Sequence, residues 1–201
     1  MPFLEKYVTT LGGGFHNGTS VANAWNIVEM FAAVIAPNTR VNIKESHSFV
    51  GAGAFQPGTA PTPIVYRGYN AVPGDLDGVR RGQDGLLDIS KFPSITFDTP
   101  ITTSPNVYLQ NLYIKSSSAT VVFDDAGLTG SFGVINCRVE NDFDDGGALT
   151  AGLIFCGIHL LLINSDLICS GINHGRIISC GLNCRCVGCY IHGAYPLSGM
   201  L

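Results

Sequence analysis

Residues 153–175, LIFCGIHLLLINSDLICSGINHG, align without a gap on residues 177–199, IISCGLNCRCVGCYIHGAYPLSG, so the chain contains an internal repeat of about 24 residues. Few positions are identical, but the residue types recur. The alignment pairs Cys156 with Cys180, Leu160 with Cys184, Leu162 with Cys186 and Leu167 with Ile191. A repeat this short predicts stacked copies of one small structural unit.

Two earlier segments carry the centre of the same unit. Residues 109–114, LQNLYI, and residues 134–139, VINCRV, align with residues 162–167, LINSDL, and residues 186–191, CVGCYI. Asn or Gly stands at the third place in all four segments. Both residues tolerate the left-handed backbone of a sharp corner, and stacked Asn side chains can hydrogen-bond from one copy to the next. Each copy is therefore predicted to be a strand, a corner and a second strand.

Short strands, Asn or Gly corners and a period of 20 to 30 residues without helices are typical of a β-solenoid, in which each coil lies about 4.8 Å above the last. The predicted fold class is all-β. Alternate residues of a strand point to opposite faces, so Leu160, Leu162, Cys184 and Cys186 are predicted to stack in the core. Arg185 is predicted to face outward.

The first half of the chain differs from the repeat. Apolar residues at helical spacing predict one amphipathic helix over 21–35, with residues 18–20 as its N-cap and Pro37 disfavouring helix beyond it. Many Gly and Pro residues then separate short strands. We predict one domain over 1–201, with an N-terminal cap in 1–45, turn-rich first coils in 46–105 and regular coils in 106–201.

Composition excludes several classes of protein. The 201 residues are 46% hydrophobic and only 13% charged, against an average of about 25% charged, which argues against a disordered chain. The net charge of −4 offers no basic stripe, so nucleic acid is not an expected partner. The longest charge-free apolar stretch, 146–165, is interrupted by Gly, Thr, His and Asn, so no membrane span is expected.

The expected compartment follows from the N-terminus and the cysteines. Residues 1–10 lack the apolar run of a classical signal peptide. All seven Cys lie between Cys137 and Cys189, unlike the spread framework of a small secreted fold, and we interpret them as mostly reduced. The chain is predicted to be made in a reducing cytoplasm and to end up on a particle or cell surface.

The sequence resembles the right-handed parallel β-helix proteins of the pectate-lyase-like superfamily over most of its length. The first half is similar to the N-terminal cap of bacterial and phage members in four segments: 18–25 with its Gly-Thr-Ser and Ala-Trp, 63–70 (PIVYRGYN), 74–75 (GD) and 92–93 (FP). The resemblance implies a β-helix whose N-terminal end is plugged by the amphipathic helix. It also implies two classes of function, a polysaccharide-degrading enzyme or a spike-like structural protein.

Two acidic segments are candidate sites and are predicted to be corners on successive coils. The candidate catalytic residues are Asp124, Asp125, Asp144 and Asp145, and the candidate Ca²⁺ ligands are Glu140, Asp142 and Asp144. Carboxylates are suitable hard ligands for Ca²⁺, and a pair held about 5 to 9.5 Å apart could perform acid–base chemistry on a glycosidic bond. The alternative is that Asp-Asp-Gly is ordinary turn chemistry on a solvated loop.

Four thiols lie within ten residues, at Cys180, Cys184, Cys186 and Cys189. Cys186 and Cys189 form a Cys-x-x-Cys that could be half of a tetrahedral zinc site, but no second Cys-x-x-Cys is present. The aligned copy carries Leu160 and Leu162 in place of Cys184 and Cys186. We therefore favour core packing of these thiols, since a reduced cysteine behaves as a small hydrophobe.

The sequence ends with the repeat still running and few charges, which predicts an uncapped last coil that docks on a partner, in a homo-oligomer or a larger assembly. We therefore predict a structural or adhesive module of a virion-like particle or cell surface, without catalysis. Contact with a polysaccharide is suggested by Tyr108, Tyr113, Tyr190 and Tyr195, which could stack on sugar rings. The alternative is a polysaccharide lyase or glycoside hydrolase that uses the acidic residues.

Overall fold

The computed structural model describes most of the chain in three parallel sheets. The described residues are 2–50, 53–59, 61–79, 81–102, 104–117, 122–125, 130–142, 152–156, 159–169, 176–180 and 183–193. They form 18 β-strands, numbered here in chain order, and every pairing between these strands is parallel. The predicted all-β class is confirmed.

Each sheet collects strands from the whole length of the chain. Sheet A contains, in spatial order, β1 (Leu4–Val8), β2 (Thr39–Lys44), β5 (Ile64–Tyr69), β8 (Val107–Gln110), β11 (Ser131–Ile135), β14 (His159–Ile163) and β17 (Asn183–Val187). Sheet B contains β3 (His47–Phe49), β6 (Ser94–Phe97), β9 (Tyr113–Ser116), β12 (Arg138–Asn141), β15 (Asp166–Cys169) and β18 (Tyr190–His192). Sheet C contains β4 (Gly53–Ala54), β7 (Ile101–Thr102), β10 (Phe123–Asp125), β13 (Gly152–Cys156) and β16 (Arg176–Cys180).

From β2 onward, consecutive strands visit sheets A, B and C in turn, and we call each such succession a round. The strand register confirms the predicted repeat. Neighbouring strands pair Cys156 with Cys180, Leu160 with Cys184, Leu162 with Cys186 and Leu167 with Ile191. The alignment of the two earlier segments is confirmed in the same way, since Val134 pairs with both Leu109 and Leu162.

The core lies between the sheets because every second residue of a strand points inward. In β14 the side chains of Leu160 and Leu162 are buried, whereas His159 is exposed. Aromatic rings fill the first rounds. Phe55 lies 4.6 Å from Tyr66 between ring centroids, and Phe123 lies 5.3 Å from Phe132. One continuous apolar cluster therefore runs through the described rounds.

The corners between sheets A and B have the predicted backbone. Asn111, Asn136, Asn164 and Gly188 each have positive φ, between 45° and 64°. The predicted hydrogen bonds between stacked Asn side chains are also confirmed: Asn136 Nδ2 donates to Asn111 Oδ1 at 2.7 Å, and Asn164 Nδ2 donates to Asn136 Oδ1 at 2.9 Å. The corner residues thus connect successive rounds as well as turning the chain.

The helix predicted over 21–35 is much shorter in the structure. A 3-10 turn spans Val21–Asn23, and α1 spans only Ile27–Ala32. Trp25 is held in extended backbone by a parallel bridge to Val8 of β1, a strand the sequence analysis missed. The helical spacing places Val28 and Phe31 on one apolar face, but only Phe31 is buried: Val28 is 59% exposed, and the other buried residues of α1 are Ile27 and Met30.

The true start of α1 is a capping box. Asn26 Oδ1 accepts from Glu29 N at 2.9 Å, and Glu29 Oε2 accepts from Asn26 N at 2.8 Å. This spacing is present in the sequence, and the N-cap is Asn26 rather than the predicted residues 18–20. The ring of Phe31 packs 4.8 Å from that of Phe49 and 5.4 Å from that of Phe55, so α1 lies against the first strands of sheets B and C.

A long loop, residues 70–93, replaces the corner between β5 and β6 and packs along the corners of later rounds. Asp77 Oδ1 accepts from Asn111 Nδ2 at 2.6 Å, and the Leu76 carbonyl accepts from Asn136 Nδ2 at 3.2 Å. Further along, Arg81 Nη2 donates to the Gly188 carbonyl at 2.7 Å. The loop therefore contacts rounds that are far from it in sequence.

Within the described part of the chain, no helix combines the length and the hydropathy that crossing a membrane would require.

Candidate functional site

The outer face of sheet B carries a polar patch built by two neighbouring strands and the residue that follows one of them. Tyr113 and Lys115 lie on β9, Glu140 lies on β12, and Asp142 follows β12 directly. These four residues, the sheet B patch, alternate with the inward residues Ile114, Val139 and Asn141, which are buried. The apolar core on the other side of the sheet thus positions the patch.

Two diagonal contacts join the strands. Tyr113 Oη donates a hydrogen bond to Glu140 Oε2 at 2.8 Å, and Lys115 Nζ lies 3.1 Å from Asp142 Oδ2. In the register, Tyr113 lies opposite Arg138 and Lys115 lies opposite Glu140, so each contact reaches the outward residue two positions further along the chain. Each carboxylate of the patch is therefore held by a side chain of β9.

The protonation states follow from these contacts. Burial raises the pKa of Tyr113 to about 12, with the hydrogen bond to Glu140 acting in the same direction, so the phenol stays a neutral donor at ordinary pH. The hydrogen bond to Asp142 raises the pKa of Lys115, so the ammonium group stays charged. The patch thus offers an aromatic ring, an ammonium group and two carboxylates on one face.

This arrangement is suited to hydrogen-bonding hydroxyl groups. Carboxylate oxygens accept hydrogen bonds, an ammonium group donates them, and an aromatic ring can pack on the apolar face of a sugar. Glu140 and Asp142 are two residues apart along an extended chain, which places their Cα atoms about 6.6 Å apart. A pair of carboxyl groups on one face is also the minimum that most glycosidases require.

A buried charge cluster lies beside the patch, at the start of β15. Asp166 has no exposed surface, and its carboxylate contacts Arg81 of the 70–93 loop and Arg138 Nη2, the latter at 3.2 Å. It also accepts from Leu87 N at 2.7 Å. Arg81 and Leu87 belong to the 70–93 loop, whereas Arg138 and Asp166 belong to sheet B. Because the contacts join the loop to the sheet, we interpret the cluster as structural.

The acidic segments predicted as corners are only partly within the described residues. Asp124 and Asp125 belong to strand β10 of sheet C, so the corner prediction was wrong there: this segment pairs with β7 on one side and β13 on the other. The structure describes only their backbone. Asp144 and Asp145 lie outside the described residues.

The structure separates the described candidates. Glu140 and Asp142, predicted as Ca²⁺ ligands, lie on sheet B, whereas Asp124 and Asp125 lie on sheet C. Across the described ranges, no group of three or more His, Cys, Asp or Glu is arranged to hold a metal ion. The Ca²⁺ site, whose third candidate ligand is Asp144, stays a prediction.

Sequence reasoning missed the combination of Tyr113, Lys115 and Glu140. The sequence predicts Tyr113 only as an aromatic residue that could stack on a sugar ring, and no motif singles out Lys115. The signal was present in the aligned copies, since Tyr113 and Lys115 occupy the same outward places as Arg138 and Glu140. No sequence pattern indicates the contact of Arg81 with Asp166, because the two residues are 85 positions apart and Arg81 lies in an irregular loop.

The predicted core role of the clustered thiols is wrong for two of them. Cys184 and Cys186 are exposed, although they continue the inward column above the buried Leu160 and Leu162. The reason is that β17 is the last strand of sheet A among the described residues. Cys189 is partly buried against the core, and the side chain of Cys180 lies outside the described part.

No protein-family model matches the sequence, and comparisons with curated proteins and with solved structures return no match.

Proposed function

We propose that the chain is a structural or adhesive module with the architecture of a right-handed parallel β-helix, and that its sheet B patch binds glycan without catalysis. The succession of strands through sheets A, B and C supports the β-helix, as does a register that repeats every 24 residues over the last rounds. The packing of Phe31 on Phe49 and Phe55 supports α1 as the cap of the N-terminal end.

The observation that carries the glycan proposal is the pair of contacts in the sheet B patch. Tyr113 with Glu140 and Lys115 with Asp142 present a rigid row of donors and acceptors along the outside of the module. The patch has one carboxylate in excess of its ammonium group, and the neighbouring cluster of Arg81, Arg138 and Asp166 has one cation in excess, so the two charges offset each other. We therefore propose a neutral polysaccharide as the ligand, because this surface has no net charge that would attract a polyanion.

The test is binding of the full chain to a panel of neutral and acidic polysaccharides by affinity electrophoresis. Glu140→Gln and Tyr113→Phe, which change one polar group each, are expected to weaken binding of a neutral glycan at least tenfold. Tyr7→Phe is the matched control, because Tyr7 is a partly exposed tyrosine of β1 in sheet A. Equal binding by Glu140→Gln and the unchanged chain would overturn the proposal.

A second candidate function is a polysaccharide lyase or glycoside hydrolase, favoured by the presence of two carboxylates, Glu140 and Asp142, in the sheet B patch. The same polysaccharides are incubated with the chain, and new reducing ends or unsaturated products are measured. Product that disappears in Glu140→Gln, with folding unchanged by circular dichroism, would favour the enzyme. Binding without product supports the adhesive module.

We also propose that the module assembles through the strands at its C-terminal side, as in a spike on a particle or cell surface. β16, β17 and β18 are the last strands of their sheets within the described residues, and Val187 and Tyr190 are exposed there. Open strand edges with apolar side chains are prone to pair with another chain.

Light scattering of the full chain is expected to give the mass of a closed oligomer such as a trimer. Val187→Asp should shift that mass towards the monomer, because it places a charge in the contact. Val72→Asp is the control, since Val72 is exposed on the 70–93 loop. A monomer at all concentrations would contradict assembly but leave the glycan proposal standing.

A further inference from the structure

The N-terminal cap exposes apolar side chains that do not pack in the core. Leu11 and Phe15, on the loop after β1, are 85% and 84% exposed, and Val21 and Val28 are exposed on the 3-10 turn and on α1. We call these four residues the cap patch. A group of exposed apolar side chains marks a surface that binds a protein or a membrane.

Contacts within the cap bring the segments of the cap patch together. His16 Nδ1 lies 3.0 Å from Glu29 Oε2, and a Cβ added to Gly12 would meet the imidazole of His16 at 2.8 Å. Each of these three residues directly follows a member of the cap patch in the chain. The Val21 carbonyl lies 3.5 Å from the place of a Cβ on Gly13, so the fourth member adjoins the same loop.

The cap patch lies in a segment almost without charge. Glu29 is the only Asp, Glu, Lys or Arg in residues 11–37. Its carboxylate accepts from Asn26 N at 2.8 Å and contacts His16, so it is held within the cap. The whole chain has a net charge of −4, so an anionic surface would not attract it. The charges therefore favour a partner surface without net charge.

The loop that carries Leu11 and Phe15 pairs its own backbone amides. The amides of residues 12, 13, 15 and 16 donate to acceptors within the cap at distances of 2.9 to 3.3 Å, and the acceptor for Phe15 is Asn23 Oδ1. A protein partner could supply acceptors to unpaired amides, whereas the apolar part of a lipid bilayer supplies none. A loop with paired amides and apolar side chains is therefore suited to contact with lipid.

We propose that the cap patch binds the surface of a bilayer of zwitterionic lipid, with Leu11 and Phe15 inserted at the boundary between headgroups and acyl chains and without a membrane span. The cap packs on β1, at the opposite end of sheet A from β17, so the assembly proposed above leaves the cap patch free. This inference is independent of the glycan proposal, because the cap patch shares no residue with the sheet B patch.

The test is sedimentation of the full chain with phosphatidylcholine vesicles, to which the chain is expected to bind. The double variant Leu11→Ser/Phe15→Ser should bind at least about tenfold more weakly, because it removes two apolar side chains from the contact. Replacing part of the lipid by anionic phosphatidylglycerol should not strengthen binding, and raising the salt concentration should not weaken it. Stronger binding to the anionic vesicles that high salt abolishes would contradict the proposal.

Val72→Ser is the matched control, because Val72 is exposed on the 70–93 loop, outside the cap, and it should bind as the unchanged chain does. Circular dichroism checks that the variants are folded. Phe15→Trp provides a second measurement. Its fluorescence should shift to the blue on binding and be quenched by brominated acyl chains, in comparison with the unchanged chain, whose single Trp25 is buried. No sedimentation of the unchanged chain, equal binding by the double variant, or an unquenched Phe15→Trp would overturn the proposal.

Discussion

His47 occupies an inward place in sheet B where each later round carries an aliphatic residue. In the register it is followed by Ile95, Ile114, Val139, Leu167 and Ile191. The imidazole is buried, and its Nε2 lies 2.9 Å from the Lys44 carbonyl. Burial lowers the pKa of His47 below its ordinary value of 6.5, because the charged form loses its hydration.

This residue should make stability depend on pH. Well above pH 6.5 the imidazole is neutral in both the folded and the unfolded chain. As the pH falls from there through the lowered pKa of the folded state, the unfolded chain binds the proton first, so the free energy of unfolding decreases. His47→Leu should flatten this dependence between pH 7.5 and 5, measured as urea midpoints. His192→Gln, at an exposed histidine, should retain it; an unchanged slope in His47→Leu would contradict the argument.

At the scale of elements, the stacked asparagines join three sheet A strands, β8, β11 and β14, to the sheet B strands that follow them. Asn136 connects β11 to β12 with φ of 51°. Its side chain donates to Asn111 Oδ1 and to the Leu76 carbonyl, and it accepts from Asn164 Nδ2. The side chain of Asn136 thus forms hydrogen bonds with two other corners and with the 70–93 loop.

Two substitutions separate the backbone role of Asn136 from its hydrogen bonds. Asn136→Gly keeps the left-handed corner but loses the bonds, each worth about 1 kcal/mol. Asn136→Ala loses the bonds and adds about 1 kcal/mol of left-handed strain. Both variants should unfold at lower urea than the unchanged chain, and Ala should be the less stable. An Ala variant at least as stable as the Gly variant would contradict this account.

At the scale of the whole molecule, the 70–93 loop begins after β5 in an early round and contacts residues of the last described rounds. Arg81 contacts the carboxylate of Asp166 and the carbonyls of Ser165 and Gly188, all in rounds near the C-terminal side. Asp166 has no exposed surface, so the loop supplies part of the charge compensation that this carboxylate needs.

Removing Arg81 should therefore destabilise the whole stack. Arg81→Met leaves Asp166 with only Arg138 and Leu87 N as described partners, and we expect a loss of about 3 kcal/mol in the free energy of unfolding. Arg185→Met is the control, because Arg185 is exposed on β17, and its change should stay within about 0.5 kcal/mol. Urea denaturation measures the free energy of unfolding of both variants. Equal stability of Arg81→Met and Arg185→Met would contradict a stabilising role of the loop.

The repeat was predictable because its signals are local. Two-residue alternation predicts which side chains of β14 point inward, and Asn or Gly at one place predicts the corner. The length of the helix was not predictable, because apolar residues also recur at helical spacing before α1. The bridge between Trp25 and Val8 holds that earlier segment in extended backbone, and the contact depends on a strand 17 residues earlier in the chain.

The 24-residue period, the inward columns and the corner asparagines therefore follow from the order of residues, since each reflects sterics and burial within one strand or turn. The pairing of Tyr113 with Glu140, the burial of Asp166 under the 70–93 loop and the exposure of Cys184 and Cys186 depend on packing between distant segments. Such contacts are selected by the shape and charge of the assembled sheets. They define the sheet B patch.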